Sequence, residues 1–116
     1  MKAKLVSIDA SQQRMIHLMV TYRIRKDRAE TARKLIAQLV AAVARHEPRT
    51  LDYRVFQHAN SECSFTHSMA FPDTEAHLAH IAAPHLKQFV EALVRDCEDG
   101  PHYTEMRLID AVQNDS

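Results

Sequence analysis

Alternation dominates the first strongly patterned stretch of the chain. From Met15 to Ile24, the residues Ile16, Leu18, Val20, Tyr22 and Ile24 occupy every second position, which predicts a strand with one apolar face. The other face, Met15, His17, Met19 and Thr21, is only half polar. The period then changes. Asp27 and Glu30 stand in capping-box spacing, and behind them Ala32, Leu35, Ile36, Leu39, Val40 and Val43 recur at helical intervals. One amphipathic helix is expected to about Arg45, with Pro48 ending it.

Leu51 to His58 alternates again, with Leu51, Tyr53 and Val55 on one side. Residues 59–62 form a short polar loop, and Cys63 to Phe71 makes the next strand. Cys63, Phe65, His67, Met69 and Phe71 share one of its faces, while Ser64, Thr66, Ser68 and Ala70 share the other. Two strands across so short a loop predict a hairpin. Pro72-Asp73 opens a short helix, and Pro84 is placed as the first residue of a second. There Leu86, Phe89, Val90, Leu93, Val94 and Cys97 keep helical spacing. Gly100-Pro101 reads as the stop, with glycine in the left-handed position after the helix and proline preventing continuation. A last strand is expected from Tyr103 to Ala111. Lys4 to Ile8 can add an edge strand within an N-terminal extension of residues 1–14, and residues 113–116 read as a polar tail.

The order of elements is β-α-β-β-α-β. It predicts an α+β, ferredoxin-like domain over residues 15–112, with a four-stranded antiparallel sheet and both helices on one face. Helices on one face leave Met15, Met19 and Phe56, or their neighbours, facing water, and an apolar patch of that size marks an interface. A homodimer packed sheet to sheet is the expected partner arrangement.

Composition narrows the function. A single glycine among 116 residues excludes phosphate-cradling loops, which need several glycines to bring backbone close to phosphate. Fifteen basic residues balance fifteen acidic ones, unlike a nucleic-acid binder. The balance hides a split. Residues 1–58 carry twelve Lys and Arg against five Asp and Glu, and residues 59–116 carry three against ten. The charges are dispersed among apolar residues, so the two halves are expected to pack together and neutralise each other. Cys63 and Cys97 lack metal-type spacing and read as reduced thiols. With no apolar leader at the start and no run of membrane-spanning length, a cytoplasmic protein without membrane or nucleic-acid partners is expected.

Eight histidines are the main chemical resource. His77 and His80 are spaced for a shared ligand, but no third ligand has matching spacing, so no metal site is expected. His17, His46, His58 and His102 read as surface or edge residues. Tyr22, Tyr53 and Tyr103 fit either ordinary packing or a hydrogen bond to a bound oxygen.

The stretch from Phe71 to Phe89 carries most information: an aromatic, then Asp73, His80, Pro84, His85 and Phe89. With Glu47-Pro48 and the run from Leu51 to Tyr53, it resembles the antibiotic biosynthesis monooxygenase family over roughly Met15 to Val112. The resemblance implies a small dimeric α/β barrel. It also implies, for some members, oxidation of aromatic polyketides or quinols by dioxygen without metal or flavin. The chain departs from the family pattern at three positions. Arg49 replaces a usual glycine, Ala83 replaces a capping serine, and Met69 stands where many members carry a carboxylate. The absence of tryptophan also sets it apart from the related haem-degrading branch.

Dioxygen reacts readily with electron-rich carbanions and phenolates, so the enzyme's task would be to deprotonate a substrate in a dry cavity. Phe65, Met69, Phe71, His80, Phe89 and Leu93 are the expected substrate-binding wall between sheet and helices. His85, where the start of a helix favours a neutral imidazole, is the first candidate base, and His67 on its apolar strand face is the second. The expected activity is therefore a cofactor-independent monooxygenase acting on a small aromatic, polyketide or quinol-type molecule. A dimeric small-molecule-binding or regulatory protein, or an isomerase using the same cavity, are the alternatives.

Overall fold

The computed structural model describes residues 2–5 and 8–115. In chain order the elements are β1 (Lys2–Leu5), α1 (Ala10–Arg14), β2 (Ile16–Ile24), α2 (Ala29–His46), β3 (Asp52–Gln57), β4 (Ser64–Phe71), α3 (Thr74–Ala82), α4 (Pro84–Val94), β5 (Cys97–Met106) and β6 (Val112–Asp115). Strands β3, β4, β2 and β5 lie side by side in that order, all antiparallel. This is the ferredoxin-like sheet. The register explains its layering. Ile16 faces Phe71, Leu18 faces Met69, Val20 faces His67 and Tyr22 faces Phe65 across β2 and β4, so the apolar alternations of both strands share one face.

The helices cover that face. Ala32, Ile36, Leu39 and Val43 of α2 meet Tyr22, Ile24 and Phe65 from the sheet, together with Phe89 and Leu93 from α4. Each large apolar side chain withdrawn from water there contributes about 2–3 kcal/mol. A smaller cluster of Met69, Phe71 and Ala76 sits under α3. The opposite sheet face carries no helix. Phe56 is half exposed there, and Thr66 links Thr21 Oγ1 (3.0 Å) to His58 Nε2 (2.7 Å).

Three local expectations are corrected. The first is the capping box on Asp27 and Glu30. Lys26–Arg28 form a 3-10 turn, and Arg28 becomes the N-cap residue without a side-chain cap. Glu30 instead pairs with Arg33 at 2.6 Å. Asp96 replaces the local cap by a distant anchor, holding Arg28 at 2.9 Å and Arg25 at 3.4 Å.

The second correction concerns Gly100. Helix α4 stops at Val94, not before Gly100, because the chain turns at once into β5 through hydrogen bonds from Asp96 N–H to Leu93 and from Arg25 N–H to Asp96. Gly100 lies inside β5, where the register against β2 slips between Thr21 and Arg23. Its φ is +88°, and a Cβ there would stand 2.8 Å from the Thr21 carbonyl oxygen. Positive φ and close backbone approach both require glycine, but for a β-bulge rather than a helix end.

The third correction is at the termini. β1 pairs with β6 in a separate two-stranded ribbon, Leu5 opposite Val112, instead of adding an edge strand to the main sheet. Gln113, Asn114 and Asp115, expected in a polar tail, form part of β6, while residues 107–111 lie outside any strand. Val6 and Ser7 of the expected edge strand, and Ser116, lie outside the described residues.

Candidate active site

Two cavities meet at one histidine. The inner cavity, about 450 Å³, lies between the sheet and helices α3 and α4. Its wall is mostly apolar, with Leu18, Met69, Leu86 and Phe89 among its residues, and its polar groups include Tyr22, Tyr53, His67 and His80. The outer cavity, about 750 Å³, opens beside the end of α2 and is lined by His46, Glu47, Arg49, His80 and His85. His80 borders both.

Glu47 organises the boundary. It caps the C-terminus of α2, where its N–H bonds to the Val43 carbonyl, and its side chain is only 8% exposed. A buried carboxylate is tolerated only when its oxygens are satisfied. Here Oε1 accepts from His80 Nδ1 and from Thr50 Oγ1, both at 2.7 Å, and Oε2 accepts from His85 Nε2. Burial alone would raise the carboxyl pKa, but the hydrogen bonds from His85, Thr50 and His80 outweigh it and leave the group below the usual glutamate range. Glu47 is therefore an anion at neutral pH.

His80 occupies the last turn of α3 and is 3% exposed, its ring against Phe71 (5.4 Å) and Tyr53 (5.6 Å). Burial pushes its pKa down, the Glu47 hydrogen bond and charge push it back up, and His85 and His77 oppose protonation; the net direction is down. With Nδ1 hydrogen-bonded to an anion, the proton of the neutral ring belongs on Nδ1. Nε2 is then the lone-pair nitrogen, and no other described residue bonds to it.

His67 is held differently. It lies mid-strand in β4, with Nε2 2.7 Å from the Tyr22 hydroxyl and Nδ1 2.7 Å from the Tyr53 hydroxyl. Burial, and then the charge of His80, pushes its pKa down to about 4. It is a neutral imidazole with both nitrogens engaged.

Of the residues expected at the site, His67, Met69, His80, Phe89 and Leu93 line the inner cavity. Phe65 is packed against Tyr22 in the core, its ring centroid 5.8 Å away, and Phe71 is fully buried behind His77 and His80. His85, at the start of α4, lies on the outer cavity and stacks on His46 at 6.0 Å. Two departures from the family pattern also resolve. Arg49 pairs with Asp73 at 2.6 Å, tying the turn after α2 to the N-cap of α3, and Ala83 leaves α4 without a side-chain cap.

Sequence reasoning missed Glu47 as a site residue and left Tyr53 undecided. A glutamate before a proline looks like a helix end, and its histidine partners lie 33 and 38 residues away. Among the described residues no cluster suited to a metal ion is present, and no helix is long and apolar enough to cross a membrane.

A ferredoxin-like sheet with helices on one face, and a mostly apolar cavity between them that His80 borders, defines a small α+β domain. Residues 15–92 match the antibiotic biosynthesis monooxygenase family, and the chain belongs to it. Solved structures repeat the fold. One is a conserved protein from Methanosarcina mazei, with TM-score 0.76 and 16% identity over 84% of this chain and 95% of that one. Another is an antibiotic biosynthesis monooxygenase, with TM-score 0.76 and 20% identity over 81% and 98%. A third is a variant of SnoaB, a cofactor-independent oxygenase from Streptomyces nogalater, with TM-score 0.70 and 12% identity over 82% and 93%. No curated protein matches the sequence significantly.

Proposed function

We propose that the inner cavity is the reaction chamber of a cofactor-independent monooxygenase acting on a small aromatic, polyketide or quinol-type molecule. One observation carries the reading. His80 has Nδ1 fixed by a buried carboxylate and Nε2 free of protein partners at the edge of an apolar cavity. That is the arrangement of a general base with an orienting group. His80 takes a proton from the substrate at Nε2, and the imidazolium is stabilised by Glu47. The substrate anion then reduces dioxygen. For an activated methylene, one oxygen atom enters the product as a carbonyl and the other leaves as water with both hydrogens, so no external reductant is required.

In this reading His85 is a positioning residue that holds Glu47 from the outer side. His67 acts through its tyrosines, because neither of its nitrogens is free to accept a substrate proton. The half-exposed Phe56 and Met106 on the helix-free sheet face support a homodimer packed through that face. Light scattering at micromolar concentration should give twice the chain mass, and a monomer would refute this interface.

Oxygen-electrode measurements with anthrone-like phenols and reduced quinols test the activity. Uptake in the wild type, with loss of at least about 100-fold in His80→Ala, is expected. Tight binding without uptake would make the chain a binding protein, and substrate isomerisation without uptake would make it an isomerase.

A further inference from the structure

The two tyrosines around His67 hold one proton too many. Neutral His67 is 2% exposed, faces no carboxylate, and carries a single ring proton. Tyr22 and Tyr53 bring one hydroxyl proton each. Three protons thus serve two contacts, Tyr22 Oη to Nε2 and Tyr53 Oη to Nδ1, both 2.7 Å. One tyrosine donates to the ring. The other accepts from the ring and keeps an O–H with no acceptor among the described residues.

Burial decides which tyrosine is which. Tyr22 also borders the inner cavity, but it is 2% exposed and packed into the core against Phe65, so an unmet O–H costs more there than at a less buried tyrosine. Tyr53 is less buried, lines the inner cavity, and lies with its ring centroid 5.6 Å from that of His80. Tyr22 therefore donates to Nε2, the His67 proton resides on Nδ1 and is donated to Tyr53 Oη, and the Tyr53 O–H is left for the cavity. His80, whose Nε2 has no protein partner among the described residues, lines the same cavity. A donor and an acceptor thus share one end of an apolar chamber, whose other ionisable wall groups are His77, Tyr103 and Glu105.

We propose that Tyr53 is the donor that receives the oxygen of an aromatic O–H substrate while His80 removes its proton. The inference rests on the inner cavity being the reaction chamber. A single phenolic oxygen satisfies both groups. Its O–H bond breaks, an N–H bond forms at His80 Nε2, and the oxygen keeps the electron pair and accepts the Tyr53 O–H. The imidazolium stays against the Glu47 carboxylate. An O-methylated ring offers His80 no proton, so the site discriminates phenols from their ethers.

The test uses 2-naphthol, whose ionisation is read by absorbance, and 2-methoxynaphthalene, which cannot ionise. The wild-type protein should bind the naphthol with its pKa lowered from the free value. Tyr53→Phe should reverse that shift by about one unit, a roughly tenfold loss in naphtholate affinity, with a smaller loss for 2-methoxynaphthalene, whose uncharged ether oxygen is the weaker acceptor. Ring-¹⁵N NMR of the unmodified protein should find His67 in the Nδ1–H form. An Nε2–H tautomer, an unchanged naphthol pKa in Tyr53→Phe, or no binding of naphthol by the wild type would overturn the proposal. Bound naphtholate together with oxygen inertness across the phenol panel would sink the monooxygenase reading and support the Tyr53 assignment.

Discussion

His67 and His80 are buried almost equally, 2% and 3% exposed, and their surroundings make them opposites. His67 sits on the sheet between two neutral hydroxyls, which use both nitrogens and carry no charge to balance a positive ring. His80 sits at a helix end against a carboxylate, which uses one nitrogen and compensates the charge gained when the other takes a proton. Burial alone therefore does not mark a reactive histidine. The charge of the partner and the nitrogen left over do.

The comparison breaks most decisively through turnover. His80→Ala should lower the oxygen-uptake rate by about 10²–10⁴-fold. An effect under tenfold would erase the difference between the two histidines.

Acid stability comes next. The folded pKa of His67, about 4, lies below the 6.5 of an ordinary histidine, so the unfolded chain takes up the proton first. The stability it confers is complete above pH 6.5 and is lost as pH falls from there toward 4, a total of about 3 kcal/mol. His80, also shifted down, changes stability in the same direction. Urea unfolding at pH 7 and pH 4.5 should show the loss, and His67→Gln should flatten the profile. An unaltered slope in that variant would place the acid sensitivity elsewhere.

Glu47→Gln sharpens the contrast from the other side. It keeps the shape but removes the charge, and should cost about 1–3 kcal/mol because two histidines and Thr50 share that one acceptor. Turnover should fall with it, while the Tyr22–His67–Tyr53 contacts persist in NMR. The smallest effect belongs to Arg49→Ala. Its partner Asp73 is 37% exposed, so the pair contributes at most about 1 kcal/mol, measurable by thermal melting.

The two histidine environments were unequally legible in the sequence. Strand alternation put His67 on the same face as Phe65 and Met69, and the antiparallel register confirms that placement. The long periodic helix and the hairpin were legible for the same reason, since one buried face imposes its period on the residues that line it. Glu47 obeys no period. Its role depends on Thr50, His80 and His85 converging from a turn and two helices, which spacing along the chain does not encode. Gly100 failed in another way. Val94 and Cys97 continued the helical spacing by chance, although Val94 is 53% exposed, and a glycine before a proline has the same appearance at a helix end and at a bulge.

That glycine also sets the reading frame of β5. On the β6-proximal side of the bulge, Val20 faces Tyr103 and Leu18 faces Glu105, which turns Pro101, Tyr103 and Glu105 toward the inner cavity. Removing the one-residue slip would exchange the two faces, presenting His102 and Thr104 to the cavity and Tyr103 to the far side. The only glycine in the chain thus chooses which side chains stand at the cavity mouth, and a deletion at this point would exchange that part of the wall while leaving Tyr53, His67 and His80 in place.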